Sequence, residues 1–485
     1  MVVTTPESVR QRDPAPFAAS LVLPVATVVA VAHLIAAAAG RQYWFDEVYM
    51  LALGRNHLEW GSADQPPVTP ALAALADTVL PGNVVVLRFP AIIATAVAVV
   101  LVALIARELG GDRRTQGVAA IAQATCLWPA FAGHWLTPYA LEAAQWLLMI
   151  WLLVRWVRTR QDRLLLICGV VVGLAALTKF QVLLLCVVLL GSVAVSGPRA
   201  LLWRPALWAG AVTAAAISVP TLLWQAAHGW PQLAMSRVVA GEAAALYAGR
   251  PGIAVQLVLY AGVIGTGLLL YGTWVLVRTP QLRDYRFLAI TFVALYVLFV
   301  VTEGRPYYLA GLYGPLIAAG AMGLQLRRER GRPRRNWPAG IGVALGVAST
   351  VALLIVSVRA VDSPVPDQIA ARTAVSLSAL PPEQRRRTAV IGESYIIAAY
   401  LDGYSDRHDL PRAYSLNRSY GYLEPPPETQ DDALYVGAEP GVLGAYFRTV
   451  RQVGQAGDDI PIWLLTGRNT PWAHIWDTER TLTVT

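Results

Sequence analysis

Long apolar runs separated by short polar connections fill the first 358 residues. A helix needs roughly 20 apolar residues to cross a hydrocarbon core of about 30 Å. Runs of that kind lie near residues 17–39, 84–106, 116–133, 137–157, 164–178, 180–196, 206–227, 253–277, 287–302, 307–325 and 338–358. The stretch from 164 to 196 is too long for one span and divides into two short ones at Thr178-Lys179-Phe180-Gln181. The connection over 40–83 is far longer than a tight helix–helix turn. Beyond Arg359 the pattern changes: β-like runs at Thr388–Ile391, Ala433–Val436 and Ile460–Leu465 alternate with helical stretches such as Ser394–Leu401 and Val442–Val450. The pattern predicts a polytopic α-helical membrane protein of about eleven transmembrane helices over 1–358. A small soluble α/β domain follows over 359–485.

Composition agrees with a membrane chain. Of 485 residues, 56% are hydrophobic and 14% charged, against about 25% charged in an average soluble domain. This excludes an ordinary cytosolic enzyme, a disordered chain and a secreted disulfide scaffold. Cys126, Cys168 and Cys186 lie in apolar runs and form neither a disulfide framework nor a metal spacing. The formal charge of +8 does not point to nucleic acid, because its location explains it. With the N-terminus inside, the cytoplasmic segments carry Arg10/Arg12, Arg107/Arg113/Arg114, Arg155/Arg158/Arg160/Arg163, Arg199/Arg204, Arg278/Arg283/Arg286 and the block Arg327, Arg328, Arg330, Arg332, Arg334, Arg335. The intervening connections are poor in basic residues, as the positive-inside rule requires. The expected location is the cell membrane, with Phe17–Ala39 as an uncleaved signal anchor and the C-terminal domain outside.

That topology sorts the unusual polar residues onto the outer face. In Tyr43-Trp44-Phe45-Asp46-Glu47-Val48-Tyr49, apolar positions recur at helical spacing, which predicts a helix lying on the membrane surface. Asp46 and Glu47 open it. Acids there complement a helix dipole, or one serves as a carboxylate base at the lipid–water boundary. Asp64-Gln65-Pro66-Pro67 then starts a second surface helix. Lys179, the single lysine among 39 basic residues, sits at an outer hinge. It either snorkels to water or meets an anion. Arg305, in Glu303-Gly304-Arg305-Pro306, offers a bidentate fork suited to phosphate. Glu142 stands one turn inside a span, where an ionisable group is costly.

Several of these segments occur in the same order in one family. Phe45-Asp46-Glu47 past the first span, Pro66-Pro67 some 20 residues on, and Leu87-Arg88-Phe89-Pro90 opening the second span are three of them. Thr137-Pro138, Thr178-Lys179-Phe180, and Gly304-Arg305-Pro306-Tyr307-Tyr308-Leu309-Ala310 leading to Tyr313 and Pro315 follow, with Pro471-Trp472 and Trp476 near the end. The chain resembles the polyprenyl-phosphate-sugar-dependent glycosyltransferases of the GT-C fold, in the bacterial protein-mannosyltransferase and aminoarabinose-transferase branch.

The resemblance implies transfer of a sugar from a polyprenyl-phosphate carrier to a cell-envelope glycan, glycolipid or protein hydroxyl outside the membrane. It places the catalytic acid at Asp46, with Glu47 beside it. Lys179 and Arg305 become donor-phosphate partners, and Gln65, His57, Glu142, Tyr307 and Tyr308 the donor- and acceptor-binding set. One departure stands out. Relatives carry a second acid just after the Thr-Pro, whereas here Tyr139 holds that place; Glu142 either replaces the acid or pairs structurally, with Gln145 for example. A divalent metal has no sequence support, since no His-Glu-x-x-His or paired-cysteine pattern exists. His57, His134 and His228 read as hydrogen-bonding or interfacial residues rather than ligands. The rival class is a transporter or flippase, which would place its charges near the midplane of broken, symmetry-related helices.

Overall fold

The computed structural model describes residues 14–331 and 337–483. Arg10, Arg12, Arg332, Arg334 and Arg335 of the expected cytoplasmic set lie outside the described residues. The membrane part begins with α1 (Ala19–Ala39), α2 (Phe45–Asn56), α3 (Val68–Val79), α4 (Val84–Glu108), α5 (Arg113–Ala124), α6 (Leu127–Ala132), α7 (Pro138–Thr159) and α8 (Arg163–Ala176). It continues with α9 (Gln181–Ser196), α10 (Pro205–Ala227), α11 (Pro231–Tyr247), α12 (Gly249–Leu259), α13 (Gly262–Arg278), α14 (Arg286–Val301), α15 (Ala310–Glu329) and α16 (Trp337–Ala360). The helix starts follow local chemistry. Asn83 caps α4 by accepting from the amides of Val85 and Val86, and Pro138 stands at the front of α7, where its missing N–H is harmless.

Among the described residues, seven helices are long and apolar enough to cross a membrane, or eight if a bent pair counts as one span. The chain is a multi-pass membrane protein. The expected spans depart from this in three places. The run at 253–277 is α12 and α13, bent by 92°. That at 116–133 is α5 and the short α6, separated at Thr125 and Cys126. α8 and α9 are apolar but short. The two breaks meet: the Leu127 amide donates to the Tyr260 carbonyl at 2.9 Å, so each broken helix satisfies backbone groups freed in the other.

The most enclosed helix is α15, whose Gly and Ala positions let neighbours approach closely. A Cβ at Gly320 would lie 2.1 Å from the Leu268 carbonyl oxygen, and one at Gly272 would lie 1.9 Å from that of Leu316. Large side chains are therefore excluded from the α13–α15 contact.

The charges separate to the two ends of the bundle. At one end Glu108 binds Arg158 at 2.6 Å and Arg107 at 3.0 Å, Asp112 pairs with Arg328, and Arg204 faces Asp162 at 3.9 Å. Arg107 also donates to the Ala15 carbonyl, bringing the start of α1 to that end. α2, α3, Lys179 and Arg305 stand at the opposite end.

There the C-terminal domain docks. Helix α17 (Val365–Ser378) leads into a five-stranded mixed sheet of order β2-β1-β3-β5-β4, formed by β1 (Thr388–Gly392), β2 (Ala413–Tyr414), β3 (Asp432–Val436), β4 (Phe447–Gly457) and β5 (Ile460–Arg468). β1 runs parallel to β2 and β3, and β5 antiparallel to β3 and β4. The helix expected at Val442–Val450 is corrected: only Gly441–Gly444 is helical, a turn follows at Ala445-Tyr446, and from Phe447 the chain is β4 because it pairs with β5. Val48, Tyr49 and Leu51 of α2 share one apolar core with Ala398, Leu401 and Leu434 of the domain. The long first loop and the domain thus pack as a unit.

Candidate active site

The site is built on the first turn of α2. Arg88, fully buried in α4, donates through Nε to both Glu47 oxygens at 3.1 and 3.2 Å and through Nη2 at 2.9 Å. Its remaining donors reach the carbonyls of Ala37, Gly40 and Gln42 at 2.9, 2.6 and 2.7 Å. One guanidinium therefore joins the end of α1 to the start of α2. Glu47 accepts from the Leu136 amide as well, at 3.3 Å. Its charge is enclosed and fully engaged, which makes it an anchor and leaves the adjacent Asp46 as the carboxylate facing the site.

Asp46 is half-buried, and its Oδ2 accepts from the Tyr139 hydroxyl at 3.3 Å. That hydroxyl in turn accepts from the indole of Trp44 at 3.2 Å, and Trp44 stacks on Trp135 with ring centres 4.3 Å apart. Burial is the main influence on the Asp46 carboxyl and pushes it up to about 6; the charge of Asp64 acts in the same direction. The Tyr139 hydrogen bond and the cations Lys179 and Arg418 oppose it.

Two of these neighbours escaped the sequence reading. Asp64 accepts from Tyr49 at 2.8 Å, from Ser419 at 2.6 Å and from Gln65 at 3.2 Å. Gln65 thus reaches the site through Asp64. Ser419 and Arg418 come from the C-terminal domain, and only tertiary packing brings them here. The Asp64-Gln65-Pro66-Pro67 motif was the available signal for Asp64; no local signal marked Arg418.

Lys179 lies 4.0 Å from Glu142 Oε2, with its ammonium 4.6 Å from the ring centre of Tyr308 and 5.5 Å from that of Tyr307. Glu142 therefore faces Lys179, whereas Gln145 donates to Thr178 at 2.8 Å. The other Glu142 oxygen, Oε1, is buried with no hydrogen-bond partner among the described residues. Tyr307 stacks on Trp128 at 4.4 Å and stands 5.0 Å from Tyr139. Arg305 pairs with Glu242 of α11, whose second oxygen binds Arg418 at 2.6 Å.

His57 is not part of this group. It ends α2, about 16 Å along the helix from Asp46 at 1.5 Å per residue, and its Nδ1 accepts from Arg412 at 2.8 Å. Burial, followed by the Arg412 charge, lowers it to about 3 and keeps it neutral. His134 contacts His33, and His228 stacks on Trp224. Among the described residues no group of three or more His, Cys, Asp or Glu is placed to hold a metal ion.

An apolar cavity of about 290 Å³ opens between α7, α8, α9 and α10. Its lining runs from Leu183, four residues after Lys179, to Leu201 and Leu207 near the arginine-rich end.

The architecture superposes on ArnT from Cupriavidus metallidurans bound to undecaprenyl phosphate with a TM-score of 0.63 and 15% identity, covering 93% of this chain and 100% of that one. The fold is GT-C. The apo state of the same ArnT gives a TM-score of 0.64 at 15% identity over the same coverage. The GT-C likeness extends to the archaeal oligosaccharyltransferase AglB from Archaeoglobus fulgidus, in complex with an inhibitory peptide and a dolichol-phosphate. The TM-score there is 0.51 at 14% identity, over 80% of this chain and 64% of that one. Residues 64–224, from the first loop into the last turn of α10, match the family described as dolichyl-phosphate-mannose-protein mannosyltransferase. No curated protein matches in sequence.

Proposed function

We propose that the chain is an integral-membrane glycosyltransferase. It moves a sugar from a polyprenyl-phosphate-linked donor to an acceptor hydroxyl on the outer face of the membrane. The observation that carries this reading is the half-buried Asp46, held by Tyr139 and facing the cations Lys179 and Arg418, together with an apolar cavity whose lining begins at Leu183, four residues past Lys179. The match over 64–224 and the lipid phosphates bound to the two GT-C structures support the donor class. The gathering of described arginines at the opposite end supports an outward-facing site, by the positive-inside rule.

In this reading the acceptor oxygen bonds to the anomeric carbon as the C–O bond to the donor phosphate breaks, leaving its electron pair on the phosphate oxygen. The acceptor proton passes to Asp46. A carboxyl raised to about 6 is a better base than an ordinary aspartate and is still ionised at neutral pH. A single displacement with one base and no second nucleophilic carboxylate inverts the anomeric centre. The leaving phosphate gains a negative charge, and Lys179 and Arg305 meet it. The prenyl tail lies in the cavity between α7 and α10.

The experiment is to incubate the purified protein with a panel of polyprenyl-phosphate-linked sugars and envelope acceptors, and analyse the products by mass spectrometry. Formation of an inverted glycoside with release of polyprenyl phosphate supports the proposal. Flux of the lipid-linked substrate across proteoliposomes without transfer overturns it.

A further inference from the structure

The Glu242 carboxylate is held between two guanidiniums from different parts of the molecule. Arg305 leads into α15, whereas Arg418 belongs to the C-terminal domain. The Arg418 side chain is only 8% exposed, and its backbone takes a left-handed conformation, φ 53°, uncommon for a residue other than glycine. Strained backbone of this kind persists where surrounding structure holds a side chain in a required place. Here Tyr49 and Asp64 hold the adjacent Ser419, while the Arg418 guanidinium lies 5.4 Å from the Tyr395 ring centre.

The arginine pair is not saturated. Arg305 Nη1 and Arg418 Nε are both buried without a hydrogen-bond partner among the described residues. Two guanidiniums share one carboxylate, so the trio carries a net positive charge and spare donors. Buried donors left unmade are costly. A phosphate offers more acceptor oxygens than a carboxylate, and after transfer it carries a second negative charge. Bidentate arginine forks match that geometry and charge.

We infer that Arg418 completes, from the C-terminal domain, the donor-phosphate site begun by Arg305, and that Glu242 holds the anion's place until the phosphate displaces it. This rests on the glycosyltransferase reading above and adds a direct role for the C-terminal domain. The domain then contributes a phosphate contact as well as packing against α2, and Glu242 keeps the two arginines together between turnovers.

The test measures binding of a polyprenyl phosphate to the purified full-length protein by native mass spectrometry, with the matching polyprenyl alcohol as control. Wild type prefers the phosphate. Arg418→Ala weakens phosphate binding by about tenfold or more, the scale of one lost charge-assisted hydrogen bond, and leaves the alcohol unchanged. Arg418→Lys, which keeps the charge but loses the fork, falls between them, and Glu242→Gln binds the phosphate more tightly than wild type. If Arg418→Ala does not fold, the Lys and Gln variants still decide. Wild-type phosphate affinity in Arg418→Lys together with any folded Arg418→Ala overturns the inference and leaves the glycosyltransferase reading standing. Weaker phosphate binding by Glu242→Gln overturns the place-holding role. A wild type that does not distinguish phosphate from alcohol overturns the glycosyltransferase reading itself, and this inference with it.

Discussion

The Tyr139 hydroxyl donates to Oδ2 of Asp46 at 3.3 Å, from the residue that directly follows Thr137-Pro138 at the start of α7. Asp46 therefore faces a neutral donor there rather than a like charge. A second carboxylate there would raise the Asp46 carboxyl further, whereas the hydroxyl stabilises its ionised form. Asp46 must be ionised to accept a proton, so sugar transfer rises as pH climbs through about 6 and levels off above it. Tyr139→Phe removes the stabilising hydrogen bond and moves the rising limb to higher pH. The pH profiles of both proteins check this; an unmoved limb contradicts it.

Glu47 and Arg88 form a fully buried pair, and breaking such a pair leaves an uncompensated charge at a cost of about 3–5 kcal/mol. Glu47→Gln and Arg88→Ala therefore lower the thermal midpoint in detergent strongly, whereas Asp46→Asn melts near wild type. A Glu47→Gln protein that melts like wild type yet has lost transfer would instead return Glu47 to the chemistry.

Gly403 packs its backbone against α2. A Cβ there would lie 2.1 Å from Val48 Cγ2, two residues beyond Asp46. Gly403→Ala overpacks this contact by about 1–3 kcal/mol and displaces the first turn of α2, lowering both melting temperature and transfer. Adding Val48→Ala removes the opposing methyl groups and restores part of each. Independent, additive losses in the double variant contradict the contact.

The apolar cavity gives a prediction that depends on chain length. Ala215 lines it, and Ala215→Trp fills part of its volume. KM for a long-chain polyprenyl donor rises several-fold, while that for a donor with a short chain changes little. Steady-state kinetics with the two donors check this; equal effects on both would place the tail elsewhere.

The elements legible in the sequence were those set by continuous local pattern. α1, α4, α7, α10 and α16 follow their apolar runs closely, and β1, β3 and β5 follow theirs. Asp46, Glu142, Lys179, Arg305, Tyr307 and Tyr308 could be singled out because charge and polar aromatics are sparse there. The bends at Tyr260 and at Thr125-Cys126 were hidden, since hydropathy does not register a change of direction that a neighbouring backbone stabilises. β4 was hidden because its register depends on β5. Arg88 was visible as a motif but not as the partner of Glu47. Asp64, Glu242 and Arg418 meet only through packing between the first loop, α11 and the C-terminal domain, a relationship of more than 170 residues in separation for Glu242 and Arg418.

In the proposed reaction Asp46 takes the acceptor proton. This role is tested most directly by comparing wild type with Asp46→Asn for sugar transfer from a polyprenyl-phosphate donor, with donor binding measured on the same preparations. Asp46→Asn is expected to keep its donor affinity and to transfer at a rate lower by about 10²–10⁴-fold, the range expected for a lost general base. Transfer by Asp46→Asn at the wild-type rate would contradict this role.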